Sequence, residues 1–70
     1  MYSKWKELKE EFEITKKDFY DSYSNSILRH LIFRDKEDNW ANFYFDKDIK
    51  QVRIVINYQD GTSYSRIDNY

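Results

Sequence analysis

Side chains able to move protons or hold charge are few and scattered in this 70-residue chain. His30, between Arg29 and Leu31, is the only imidazole and so the only ordinary base for a serine or threonine nucleophile at neutral pH. Its neighbours alternate like a strand, which makes it a surface or edge residue rather than half of a catalytic pair. Two acidic groups, Asp35 with Glu37 and Asp38, and Asp46 with Asp48, carry the oxygen donors that a hard cation or acid/base work would need. Neither has calcium-loop spacing or the glycine on which such a loop turns, so both read as solvated hairpin turns. Cysteine is absent, which excludes disulfides and the usual Cys/His zinc sites. The single glycine, Gly61, is committed to a turn and leaves no glycine-rich phosphate cradle. No catalytic residue, metal ligand or cofactor is therefore expected, and the chain reads as a non-enzyme.

Recognition chemistry is better represented. Aromatic residues make up 20% of the chain, more than a core of this size can hide, and interface cores favour Tyr, Trp and Arg. The surplus rings are Tyr20, Tyr23, Tyr44, Tyr64 and Tyr70, with the acidic turn at Asp35, Glu37 and Asp38 placed to meet a basic patch on a partner. Within the stretch DFYDSYSNSI at 18–27, Phe19 is expected to pack inward and Tyr20 and Tyr23 to face a partner. An alternative is a small stacking face for single-stranded nucleic acid at Arg53, Tyr64 and Arg66, which the surrounding acids weaken.

The elements that must position these residues follow from periodicity. Trp5, Leu8 and Phe12 recur at helical spacing among Lys and Glu, with Ser3 as an N-cap, so an amphipathic helix is expected to break near residue 12. Residues 12–15 also alternate like a short strand, and the polar run 18–26 reads as a loop, because Ser, Asp and Asn side chains compete for nearby backbone. Strands are expected at 27–34 and 40–45, separated by the acidic turn, and again where Val52, Ile54, Ile56 and Tyr58 alternate with polar neighbours. Asp60-Gly61 has the composition of a two-residue hairpin turn leading to a last strand at 62–67. That turn would pair Gln59 with Thr62, placing Ser63, Ser65 and Ile67 on the core face and Tyr64, Arg66 and Asp68 on the other, opposite Asn57, Val55 and Arg53. The expected fold is a single α+β domain over 1–70, one amino-terminal helix packed on an antiparallel β-meander of three to four strands.

Seventy residues with net charge −1 lack the basic excess of a phosphate-tracking protein, so nucleic acid is the less favoured partner. No run is long enough for a membrane helix and the amino terminus lacks a signal-peptide core, which makes a cytoplasmic protein the expectation. Abundant Lys, Asn, Ile, Tyr and Asp beside one Gly and no Pro match AT-rich codons, as in a low-GC bacterium or its phages.

The segment SNSILRHLIFR at 24–34, followed by Asp38, resembles a stretch of the small phage-encoded inhibitors of type II-A Cas9 nucleases. In at least one such anti-CRISPR protein a Ser-Asn-Ser-Ile step leads into a Leu-Ile-containing strand that ends in arginine before an acidic turn. The resemblance implies inhibition without catalysis, by acidic residues offered to the basic surface where the nuclease binds DNA, and Asp35, Glu37 and Asp38 are the positions onto which it carries. That inhibitor continues into helices after its third strand, whereas this chain continues into the 52–67 hairpin and is far less acidic. The expected function is thus a phage- or mobile-element-encoded inhibitor that binds a host defence protein. A homodimer through an open sheet edge is a further expectation.

Overall fold

The computed structural model describes residues 2–14 and 20–70, and for 20–23 the backbone alone. Helix α1 (Tyr2–Glu11) precedes strands β1 (Tyr20–Ser24), β2 (Leu28–Arg34), β3 (Trp40–Asp46), β4 (Gln51–Asn57) and β5 (Ser63–Asn69). Each strand pairs antiparallel with the next, giving one five-stranded sheet in the order β1-β2-β3-β4-β5. The helix-on-meander architecture is as expected, with one strand more at the edge.

That strand corrects the loop expected across 18–26. Tyr20 pairs with Ile32 and Tyr23 with His30, with a register irregularity between Asp21 and Tyr23. Ser and Asp favour local turns, but an unpaired edge of β2 and the strand preference of tyrosine outweigh them. Residues 18 and 19, and with them the expected inward packing of Phe19, lie outside the described residues. The turn that follows is set by Asn25, whose Oδ1 accepts from the backbone N–H of Ile27 at 2.8 Å and of Leu28 at 2.6 Å.

The helix ends where its apolar stripe does. Glu13 has φ 54°, its N–H bonds to the Glu10 carbonyl, and the Ile14 N–H reaches back to the Lys9 carbonyl at 3.0 Å. This is a Schellman C-cap with glutamate where glycine is usual. Ile14 then forms a single bridge with Asp35, so the short strand expected near 12–15 is reduced to one pair.

Leu31 and Phe33 of β2, Ala41, Phe43 and Phe45 of β3, and Val52, Ile54 and Ile56 of β4 form the buried face, closed by Leu8 of α1. Trp5 lies over it, its ring centroid 4.9 Å from Phe33 and 5.0 Å from Phe43. Three of the nine buried core residues among those described are phenylalanines, and the large apolar area of such rings is how a chain without cysteine offsets its entropy.

The β4–β5 hairpin corrects the expected register. Tyr58 pairs with Thr62 through its N–H at 3.0 Å, and the Gly61 N–H bonds back to the Tyr58 carbonyl, so the loop has three residues rather than two. A two-residue type I′ turn needs positive φ at both central positions, and only Gly61, at 89°, has it; the loop is a type I turn closed by a left-handed residue. The slip of one residue turns every side chain of β5 over. Ile54 now faces Arg66, Val52 faces Asp68 and Ile56 faces Tyr64, while Ile67 stands beside Arg53 on the far face. The β2–β3 hairpin repeats the device, with Asp35 and Asn39 bonded and Asp38, at φ 66°, in the left-handed position.

Candidate interaction surface

The reversed strand places two charged side chains at the margin of the core. Arg66 donates two hydrogen bonds to the Glu11 carboxylate, at 2.6 and 2.9 Å, and its Nε lies 2.8 Å from Asp68, which in turn meets Lys4 at 3.0 Å. The Arg66 guanidinium also covers the Phe12 ring, 5.3 Å from its centroid. Burial pushes the Asp68 carboxyl up, but hydrogen bonds from Lys4 and Arg66 together hold it below its ordinary value. The Arg66 hydrogen bond holds Glu11 below the ordinary range, and the Asp68 hydrogen bond holds Lys4 above its own. This network ties α1 to the edge strand.

The stacking trio Arg53, Tyr64 and Arg66 is therefore not assembled. Arg53 lies on the outer face opposite Tyr44 and Ile67, whereas Tyr64 and Arg66 lie on the helix side, and Arg66 is spent on Glu11 and Asp68. The acidic turn is only partly available. Asp35 Oδ1 accepts from the backbone of Glu37 and Asn39 at 2.9 Å each, so its charge shapes the turn. Asp38 pairs with Arg34, and Gln59 donates to the Asp38 carbonyl at 3.0 Å, joining the two hairpin tips. Glu37 is exposed. The side chains of Tyr20 and Tyr23 lie outside the described structure, and Tyr70 closes the end of the core, 5.9 Å from Phe45.

What the structure does bring together is the face of the sheet away from α1. Alternation along β2, β3 and β4 sends Arg34, His30, Trp40, Tyr44 and Arg53 to this side because their neighbours fill the core. The Arg34 guanidinium lies 4.2 Å from the centre of the Trp40 ring and that of Arg53 4.8 Å from Tyr44. His30 stacks on Tyr44 at 3.9 Å and 19°, and its Nε2 lies 3.3 Å from Asn42 Oδ1. An open cleft of about 420 Å³ runs beside this pair, bounded by Leu28, Arg29, His30, Tyr44, Phe45 and Asp46. Trp40 is 36% and Ile67 60% exposed, and among the described residues no helix or strand lies on this face. Tyr44 was legible as a surplus ring. Trp40 and Arg34 stand out in the sequence only as strand residues, although parity with Phe43 and Phe45 already places Trp40 and Tyr44 on one side, and His30 reads there as a surface or edge residue of its strand.

Fold and surface together define a small α+β domain with a helix on one face of a meander and an aromatic, arginine-bearing face on the other. No protein-family model, no curated protein and no solved structure matches the chain. None of the helices is long and apolar enough to cross a membrane among the described residues.

Proposed function

We propose that this chain is a non-enzymatic binding domain that acts by occupying the surface of a partner protein, with the outer sheet face as its contact. The observation that carries the reading is that face itself, where Trp40, Tyr44, Arg34 and Arg53 stand beside exposed Ile67. Rings and arginines of this kind anchor protein interfaces, since they give large contact area at low entropic cost. Stacked on rings, the two guanidiniums are already ordered, which lowers the cost of association further.

The narrower role is that of a phage- or mobile-element-encoded inhibitor of a host defence nuclease. Its support is the likeness of residues 24–34 to the Cas9 inhibitors, and the comparisons add nothing to it. The acidic device of those inhibitors falls chiefly on Glu37, because Asp35 and Asp38 are engaged within the hairpin. Purified type II-A Cas9 tests the narrower role: inhibition of target cleavage that scales with binding supports it, and unimpaired cleavage at saturating protein removes it.

The same face supports a second reading, because bases stack on aromatic rings flanked by arginine. An oligonucleotide retarded at low salt, with affinity falling steeply as salt rises, would move the function to nucleic acid. Capture of a host protein that survives nuclease treatment, and is lost on Arg53→Glu, is the outcome expected of a protein binder.

A further inference from the structure

The two edges of the sheet are unlike. β1 has five residues and a register irregularity, a bulge of the kind that discourages another strand. β5 has seven residues in unbroken register with β4 and contains neither proline nor lysine. Among the described residues nothing pairs with its other side. Tyr58 donates to the Thr62 carbonyl and Tyr70 to that of Lys50, which fixes the phase of the ladder between them. Even-numbered residues of β5 turn their backbone groups to β4, so Ser63, Ser65, Ile67 and Asn69 turn theirs outward.

We propose that this outward edge pairs antiparallel with the same edge of a second copy, with Ile67 on the two-fold axis, so that two sheets join as one. Charge selects the register. With the axis at Ile67, Arg66 of each copy stands opposite Asp68 of the other, Ser65 opposite Asn69, and the exposed Ile67 side chains meet. With the axis at Arg66, two arginines would face each other. With the axis at Ser65, Arg66 would meet Tyr64 and Asp68 would meet Thr62, leaving both charges without an opposite across the edge. The Ile67 register instead extends the network of Lys4, Asp68, Arg66 and Glu11 across the interface. The contact is isologous and closes as a dimer without propagating into a fibre. It does not depend on what the outer face binds.

Because the chain has no cysteine, a single introduced thiol reports position. In a hydrogen-bonded antiparallel pair the Cα atoms lie about 5.5 Å apart, within disulfide range, so Ile67→Cys should oxidise to a covalent dimer. The two copies of position 65 would be offset by four residues, about 13 Å at about 3.3 Å each, so Ser65→Cys should cross-link at least about tenfold more slowly. Wild-type protein should sediment at two chain masses as its concentration rises toward about 1 mM. Ile67→Pro, which removes an outward N–H and no bond to β4, should stay at one chain mass with unchanged circular dichroism. A wild-type protein that is monomeric throughout, or faster cross-linking by Ser65→Cys than by Ile67→Cys, would overturn the proposal.

Discussion

Replacing Arg66 by alanine should destabilise the protein by about 2 kcal/mol, whereas Ile67→Ala should stay within about 0.5 kcal/mol. The first figure is assembled from contacts. The fork on Glu11 joins side chains 31% and 42% exposed and is discounted for solvent to under about 1 kcal/mol. The contact with Asp68, whose side chain is 17% exposed, contributes about 1 kcal/mol, and the guanidinium over Phe12 about 0.5 kcal/mol. In a domain of this size about 2 kcal/mol lowers the melting temperature by roughly 10 °C. Arg66→Lys should fall between, because an ammonium cannot hold both carboxylates in a planar fork. Urea and thermal unfolding at low micromolar protein read both variants. The alternative register inverts the order: Ile67 would sit in the core opposite Ile54 at a cost of about 2–5 kcal/mol, and Arg66 would be a solvated residue beside Val55. Loss of stability at Ile67 with none at Arg66 would refute the placement of β5.

The same network gives a pH dependence. Asp68 and Glu11 titrate below their ordinary values of 3.8 and 4.5 when folded, so their contribution is full above those values and is lost progressively as pH falls from them through the lower folded values. Lys4, held above 10.5, keeps its contribution until pH rises past that value. Asp68→Asn should flatten the acid limb of urea midpoint against pH. Glu13→Gly should stabilise by up to about 1 kcal/mol, since glycine suits the left-handed cap, reduced by the lost exposed pair with Lys36. Gly61→Ala should cost about 1 kcal/mol through φ alone, because a Cβ there meets no atom within 4 Å; the urea midpoint reads both. Phe43→Ala, fully buried beneath Trp5 and Phe12, should cost about 3–5 kcal/mol and leave little folded protein by circular dichroism.

Much of this architecture was legible because period and polarity agree. Trp5, Leu8 and Phe12 mark the helix face that is used, and Val52, Ile54 and Ile56 the strand face that is buried. The last strand was not, because Asp60-Gly61 is compatible with loops of two or three residues and β5 has no apolar alternation to choose between them. Ser63, Ser65 and Ile67 compete as a core face with Tyr64, Arg66 and Asp68, and the winner is set by ion pairs to Glu11 and Lys4, more than fifty residues away in the chain. β1 escaped notice for a related reason: its partner lies on β2, while its own Ser and Asp residues favour turns. The candidate surface was half legible, since aromatic surplus pointed to recognition, whereas the charges of the acidic turn do not show in the sequence that Asp35 and Asp38 are engaged within the hairpin. Asp35 proved to be a turn residue, and Arg53 lies over a single ring, Tyr44 on β3, rather than over Tyr64 of β5.

The most direct test of the outer face is quantitative capture from a nuclease-treated lysate of a low-GC host. Wild-type protein would be compared with the Tyr44→Ala/Arg53→Glu double variant and with Glu37→Lys, each shown to be folded. Recovery of one partner by the wild type and by Glu37→Lys, with a loss of about tenfold or more in the double variant, is the expected result. Undiminished recovery by the double variant, or loss on Glu37→Lys alone, would contradict it and return the contact to the acidic turn.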